Sequence, residues 1–228
     1  MAVESANVVG VINATAEEAY SLQVASFDDI GTDTYSIQNI IPKAPDGVEI
    51  GGGAFDLQTL DYAGGMEEQF VYLTTDDGVP QNGWYEEDME TFATKVFAKG
   101  EGFMFNNSCG ETAGICFAGQ VSTNAVNVDA TEAYSVQGNI RPYEISIQDL
   151  IPAPGAGVEI GGGAFDLQTL DYAGGMLEQF VYLTTDDGVP QNGWYEEDME
   201  TFATKTFAPS EGYLFNNSCG EDAEIAYK

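Results

Sequence analysis

The run VYLTTDDGVPQNGWYEEDMETFATK occurs twice, at Val71–Lys95 and at Val181–Lys205, without one substitution. A shift of 110 residues extends the match to Gly47–Glu111 over Gly157–Glu221. Six of those 65 positions differ: Glu67/Leu177, Val96/Thr206, Lys99/Pro209, Gly100/Ser210, Phe103/Tyr213 and Met104/Leu214. Upstream the match loosens. YSIQNIIP (Tyr35–Pro42) lies over EISIQDLIP (Glu144–Pro152), and AEEAYSLQ (Ala16–Gln23) over ATEAYSVQ (Ala130–Gln137), with four extra residues in the first copy. Whatever one copy folds into must suit the other. A unit of this length closes its own core, so the reading is a tandem duplication with domains at 1–121 and 122–228, not a solenoid.

Each copy is densely punctuated. GGG (Gly51–Gly53), AGGM (Ala63–Met66), DDG (Asp76–Gly78), QNG (Gln81–Gly83), GEG (Gly100–Gly102) and NNSCG (Asn106–Gly110) are turn chemistry, because Gly, Asn and Asp tolerate positive φ. Between them lie the β-favouring runs SIQNII, FDLQTLDY, QFVYLTT, TKVFA, GFMFN and ICFAGQV. Short strands with a turn every ten residues or so predict an all-β chain: two tandem antiparallel β-sandwich or jelly-roll domains. YEEDMETFATK reads as strand-turn-strand or one short helical turn.

Composition narrows the partners. The chain has 38 acidic residues against five lysines and Arg141, no histidine, and a formal charge of −32. Nucleic acid and anionic membranes are excluded, since both need Lys and Arg to displace counterions. Aromatic residues at 12% separate the chain from a disordered acidic tail. No apolar run reaches the length of a membrane span. MAVESANVVGVINA has neither a basic n-region nor an apolar h-region, so no signal peptide is visible: either the chain matures in the cytoplasm or a signal peptide has been removed.

Several stretches carry a resemblance: Ser5–Gly10 (SANVVG), Gly83–Trp84, Gly100–Phe105 (GEGFMF), Ala118–Val121 (AGQV), Tyr134–Pro142 (YSVQGNIRP) and Ser146–Pro152 (SIQDLIP). Together they resemble a class of uncharacterised bacterial secreted or surface β-repeat proteins. The resemblance covers most of the chain and implies location and architecture, not chemistry: it favours an extracellular or cell-surface chain whose signal peptide has been removed over a cytoplasmic one.

Without histidine no Ser-His-Asp or Cys-His arrangement exists, and GGGAF at Gly51–Phe55 lacks the spacing of a phosphate loop. Carboxylates abound, yet two small near-identical domains leave little room for a substrate cleft, so the chain reads as no enzyme. Trp84–Tyr85 and Trp194–Tyr195 beside Asn-Gly turns are either core plugs or a platform for a sugar ring. Asp76, Asp77, Glu86, Glu87 and Asp88, with Asp186, Asp187, Glu196, Glu197 and Asp198, are either a solvated acidic face or ligands for Ca2+; the EF-hand pattern is absent. Cys109 and Cys116, separated by six residues, suit a hairpin disulfide. Cys219 matches Cys109, but Ala226 stands where its partner would be, so Cys219 is a candidate intermolecular contact. The sequons at Asn13, Asn106 and Asn216 have meaning only in a host that glycosylates them.

The functional expectation is a non-enzymatic extracellular structural protein, without cofactor, assembling with itself head to tail as a surface fibre or layer. Copy 1 leads through ICFAGQV into the first strand of copy 2, and the chain ends offer the same join between molecules. The alternatives are a bivalent glycan- or calcium-binding surface module and a virion surface or appendage protein.

A charge of −32 opposes compaction most strongly when unscreened. The melting temperature is therefore expected to rise as NaCl goes from about 0.01 to 1 M, over which the Debye length falls from about 30 to 3 Å. Scanning fluorimetry at fixed pH checks this; a midpoint indifferent to salt refutes it.

Overall fold

The computed structural model of the chain describes residues 9–16, 19–25, 34–60, 65–120, 126–130, 133–156, 158, 160–170 and 175–227. They form antiparallel β-structure with short 3-10 turns and, among the described residues, no α-helix. The first half contains β1 (Val9–Ala16), β2 (Ala19–Val24), β3 (Thr34–Ser36), β4 (Ile40–Lys43), β5 (Phe55–Leu60), β6 (Met66–Leu73), β7 (Gly83–Glu86), β8 (Val96–Ala98), β9 (Gly102–Asn107) and β10 (Ala113–Gln120). The second contains β11 (Val126–Ala130), β12 (Ala133–Gly138), β13 (Ile145–Ser146), β14 (Leu150–Pro154), β15 (Phe165–Leu170), β16 (Met176–Leu183), β17 (Gly193–Glu196), β18 (Thr206–Phe207), β19 (Gly212–Asn217) and β20 (Ala223–Tyr227).

In the first half β2-β9-β5-β6-β7 form one sheet, β1-β10-β4 a second, and β3-β8 a two-stranded ribbon. The second half has the same order: β12-β19-β15-β16-β17, β11-β20-β14 and β13-β18. Alternation sets the faces. Along β5, Phe55, Leu57 and Thr59 are buried on one side while Asp56 and Gln58 point to the other. Phe55, Leu57, Phe70, Trp84, Phe103 and Phe105 of the five-stranded sheet pack on Ile40, Ile115 and Phe117 of the three-stranded one, which is sandwich packing. The first strand of each half pairs within its own half, β1 with β10 and β11 with β20, so β10 is not continued by β11.

One predicted strand resolves differently, and the open reading of YEEDMETFATK resolves to its first alternative. In SIQNII the first part is a 3-10 turn, Ile37–Asn39, because the Ser36 hydroxyl accepts from the Gln38 N–H and caps it. Only Ile40 and Ile41 continue as strand. YEEDMETFATK is a strand and a tight turn: Glu86 N–H donates to Thr91 O at 2.8 Å, Ala93 N–H donates to Trp84 O at 2.9 Å, and Phe92 bridges back to Tyr85.

The turn at Ile37–Asn39 aims Gln38 at β7. Its amide donates to Trp84 O (2.9 Å) and Ala93 O (2.8 Å), and its carbonyl accepts from Trp84 N–H (3.0 Å). The Trp84 indole N–H then donates to Ile40 O at 2.7 Å, tying the two sheets together. Gln148 and Trp194 repeat the set with Leu150 O. The halves differ in their buried phenols. Tyr35 hydrogen-bonds the backbone of Asn39 and Ala118 in the first, whereas Tyr213 and Tyr227 pair at 3.0 Å in the second, where the first has Phe103 and Phe117.

Replacing Gln38 by Leu strips three backbone groups of a partner and is expected to cost about 2–4 kcal/mol. Gln148→Leu is expected to cost a similar amount. Urea denaturation of each variant checks both, and a loss below about 0.5 kcal/mol would remove this lock from the account.

Candidate functional site

The shared run carries two acidic turns in each half: Thr75–Asp77, which lies against the GGG turn, and Glu86–Thr91, at the other end of β7. Asp77 closes the first part. Its carboxylate accepts from Thr74 N–H (2.7 Å) and the Thr74 hydroxyl (3.0 Å), and Asp187 likewise accepts from Gly162 N–H at 2.9 Å. Gly51 has to be glycine here, because a Cβ would run into the Asp77 carboxylate. Asp88 closes the second part, accepting from Glu90 N–H, Thr91 N–H and the Thr91 hydroxyl at 2.7–2.9 Å. Met89 stands half-exposed at the tip with φ 59°.

These bonds account for the acidic residues singled out by sequence. Asp77, Asp88, Asp187 and Asp198 serve as turn acceptors, and backbone donors hold their carboxyls below the ordinary aspartate range. In Asp198 the Thr201 hydroxyl leads the same effect. Asp76, Glu87, Asp186 and Glu197 point to solvent, and Glu86 and Glu196 are half-exposed on β7 and β17. Among the described residues no three carboxylates or thiols converge as a metal cluster.

The aromatic platform is corrected by burial. Trp84 and Trp194 are 0% exposed and Tyr85 and Tyr195 1%, so none offers a ring to a ligand. Neighbours in β7 point to opposite faces. Trp84 enters the main core edge-on to Tyr72 (5.3 Å), while Tyr85 joins Val71, Leu73, Val79 and Phe92 in a small cluster on the other face.

The disulfide expectation is corrected as well: Cys109, Cys116 and Cys219 are all free thiols. NNSCGETAGICF is no hairpin but a corner, because β9 belongs to the five-stranded sheet and β10 to the three-stranded one. Cys109 packs against the core and its thiol donates to Glu111 O at 3.2 Å. Cys116 lies between the inward Ile115 and Phe117, so it points outward. Cys219 repeats the setting of Cys109, with its thiol on Glu221 O, and is not a leftover half of a bridge.

One arrangement was not legible in the sequence: the seam between the halves. β2 lies against β12, β19 and β15, and β12 lies against β2, β9 and β5. Exchanging each strand for its counterpart leaves that set unchanged, so the halves meet isologously rather than head to tail. Close approach depends on two matched glycines. A Cβ on Gly102 would strike Val136, and one on Gly212 would strike the Leu22 backbone. The pairing is uneven at one end. Val24 enters the core of the second half, with its N–H donating to Ser210 O at 3.1 Å, while its counterpart Gly138 leaves room for the Val24 side chain. Ser210 itself adopts φ 65° fully buried, where the first half has Gly100.

Two buried carboxyls lie on the face of β5 and β15 turned away from the main cores, opposite Val71 and Val181 of the small clusters. Asp56 accepts from Asn106 (2.6 Å) and Gln58 (3.1 Å), and Asp166 from Asn216 and Gln168. Burial outweighs these bonds and pushes both carboxyls above the ordinary value of 3.8.

No known protein family, curated protein or solved structure matches this chain. No helix among the described residues is long and apolar enough to cross a membrane.

The two groups of aspartates act oppositely on stability. A raised carboxyl binds more protons in the folded state, so Asp56 and Asp166 contribute a fall in stability as pH climbs from 3.8 through their raised values. The lowered Asp77 and Asp187 contribute above 3.8 and lose that contribution as pH drops through their depressed values. The double variant Asp56→Asn/Asp166→Asn is expected to show a shallower decline of melting temperature between about pH 4 and 7 than the parent chain. Calorimetry across that range decides it, and an unchanged slope counts against the assignment.

Proposed function

We propose that the chain is a non-enzymatic structural protein acting outside the cell or at its surface, a two-part block that joins further copies of itself. The observation that carries this reading is where the identity between the halves falls. It covers exposed turns such as Thr75–Gly78 and Glu87–Thr91 as fully as the core. Core packing alone asks nothing of those exposed side chains; the same face shown twice to the same kind of neighbour does.

The use of the polar groups supports the same reading. The carboxylates best placed for chemistry are engaged as turn acceptors, and the tryptophans that would favour a glycan-binding module are sealed in the cores. The isologous seam bears on the mode of assembly. Copies joined inside a chain have their facing surfaces occupied, so growth requires either a different surface or an opened seam.

Negative-stain microscopy with light scattering, run across protein concentration, salt, calcium and reductant, tests the proposal. The expected result is a mass that climbs with concentration, is promoted by salt as like charges are screened, and is indifferent to reductant because the thiols are unpaired. A strict monomer under every condition overturns it.

A further inference from the structure

We infer that the seam between the halves is also an intermolecular joint: the first half of one chain can take its place against the second half of another. This rests on the self-assembly reading above and names the surface that serves it. The seam consists of two facing patches, β2 with β9 and β12 with β19, whose sequences are nearly the same: AYSLQV and GFMFNN against AYSVQG and GYLFNN. Nothing in such a contact distinguishes the half on the same chain from the equivalent half of a neighbour. What favours closure within the chain is proximity. Gln120 and Val126 end and begin the flanking strands, and so short a tether holds the partner at an effective concentration on the order of millimolar.

The uneven end of the seam gives the joint a polarity. Val24 projects from the first half into the core of the second, and Gly138 leaves the room it occupies. Pairing two first halves would set Val24 against Val24, and pairing two second halves would leave both knobs missing. First-with-second is the combination that fits. Exchanged between molecules, it links chains in order, first half to second half, and such a contact propagates unless two chains satisfy each other reciprocally. A seam that closes inside one molecule is thereby the unit of an open series between molecules. The remaining contacts travel with it: the Gln23–Glu211 bridge, Val24 N–H on Ser210 O, and the Gly100 turn against Val128.

The test uses the full chain. Equal amounts of 14N- and 15N-labelled protein are unfolded together, refolded at about 1 mM and at about 10 μM, and analysed by native mass spectrometry, since exchange competes with closure only near the effective concentration. At the higher concentration the expected products are dimers and longer species with statistically mixed labels; at the lower, monomer. Gly212→Val places a side chain against the Leu22 backbone and is expected to reduce mixed species by roughly tenfold or more. Val24→Ala removes the knob and is expected to reduce them less. Near-UV circular dichroism of the buried tryptophans verifies that both cores remain folded. Mixed species undiminished in a folded Gly212→Val chain overturn the inference and leave the structural reading standing, because another surface is then responsible. Absence of mixed species beside concentration-dependent assembly of native protein has the same meaning. Absence of any assembly removes both.

Discussion

The hydrogen bond from the Trp84 indole to Ile40 O holds the two layers of the first sandwich at a fixed spacing. Its placement depends on Gln38, which bonds both backbone groups of Trp84 on β7 and the Ala93 carbonyl beside it, where a further strand would otherwise have to run. A side chain standing in for a strand also limits the sheet. The edge of β7 is satisfied by Gln38 and by the folded-back Thr91–Ala93 segment, so it offers no open ladder to other chains. Gln148 and Trp194 close the second sheet in the same way. The five-stranded sheets are thus finished on one side by side-chain chemistry and on the other by each other.

That second closure packs the two halves against each other. Val24 belongs by sequence to the first half and by packing to the core of the second. Around it, Asn139 gathers the loop that follows β12, accepting from Arg141 N–H and donating to Tyr143 O and Phe207 O. The Tyr227 hydroxyl donates to Gly138 O at 2.7 Å, bringing the paired phenols to the same place. Two of the core positions at which the halves differ, Phe103/Tyr213 and Phe117/Tyr227, therefore accompany the unequal end of the seam.

Much of the fold was legible because the turn residues are unambiguous. Gly52, Gly53, Gly78 and Gly110 all adopt positive φ where turns were expected, and the β-favouring run FDLQTL is strand β5. Three things escaped for identifiable reasons. Ser36 converts SIQN from strand to 3-10 turn through one local hydroxyl bond, which competes with a strand propensity that points the other way. The cysteines looked like hairpin partners because sequence distance says nothing about a chain changing sheets at a corner. The seam was invisible because Gly102 and Gly212 read as turn glycines, while the atoms they make room for belong to the other half. Among the site candidates, the acidic turns were placed correctly as loops, but their carboxylates proved to be acceptors for neighbouring N–H groups.

The pairing of Asn106 with Asp56 has a consequence for producing the protein. Asn106 and Asn216 are the acceptor residues of Asn-X-Ser sequons, and in the folded chain the nitrogen a glycan would occupy donates at 2.6 Å to a buried carboxylate. A glycosylating host could modify these residues only on the nascent chain, before β9 has found β5. A chain so modified would carry a sugar where its sheet requires a hydrogen bond. For this protein the choice of expression host is consequently a choice about whether the central strands can pair.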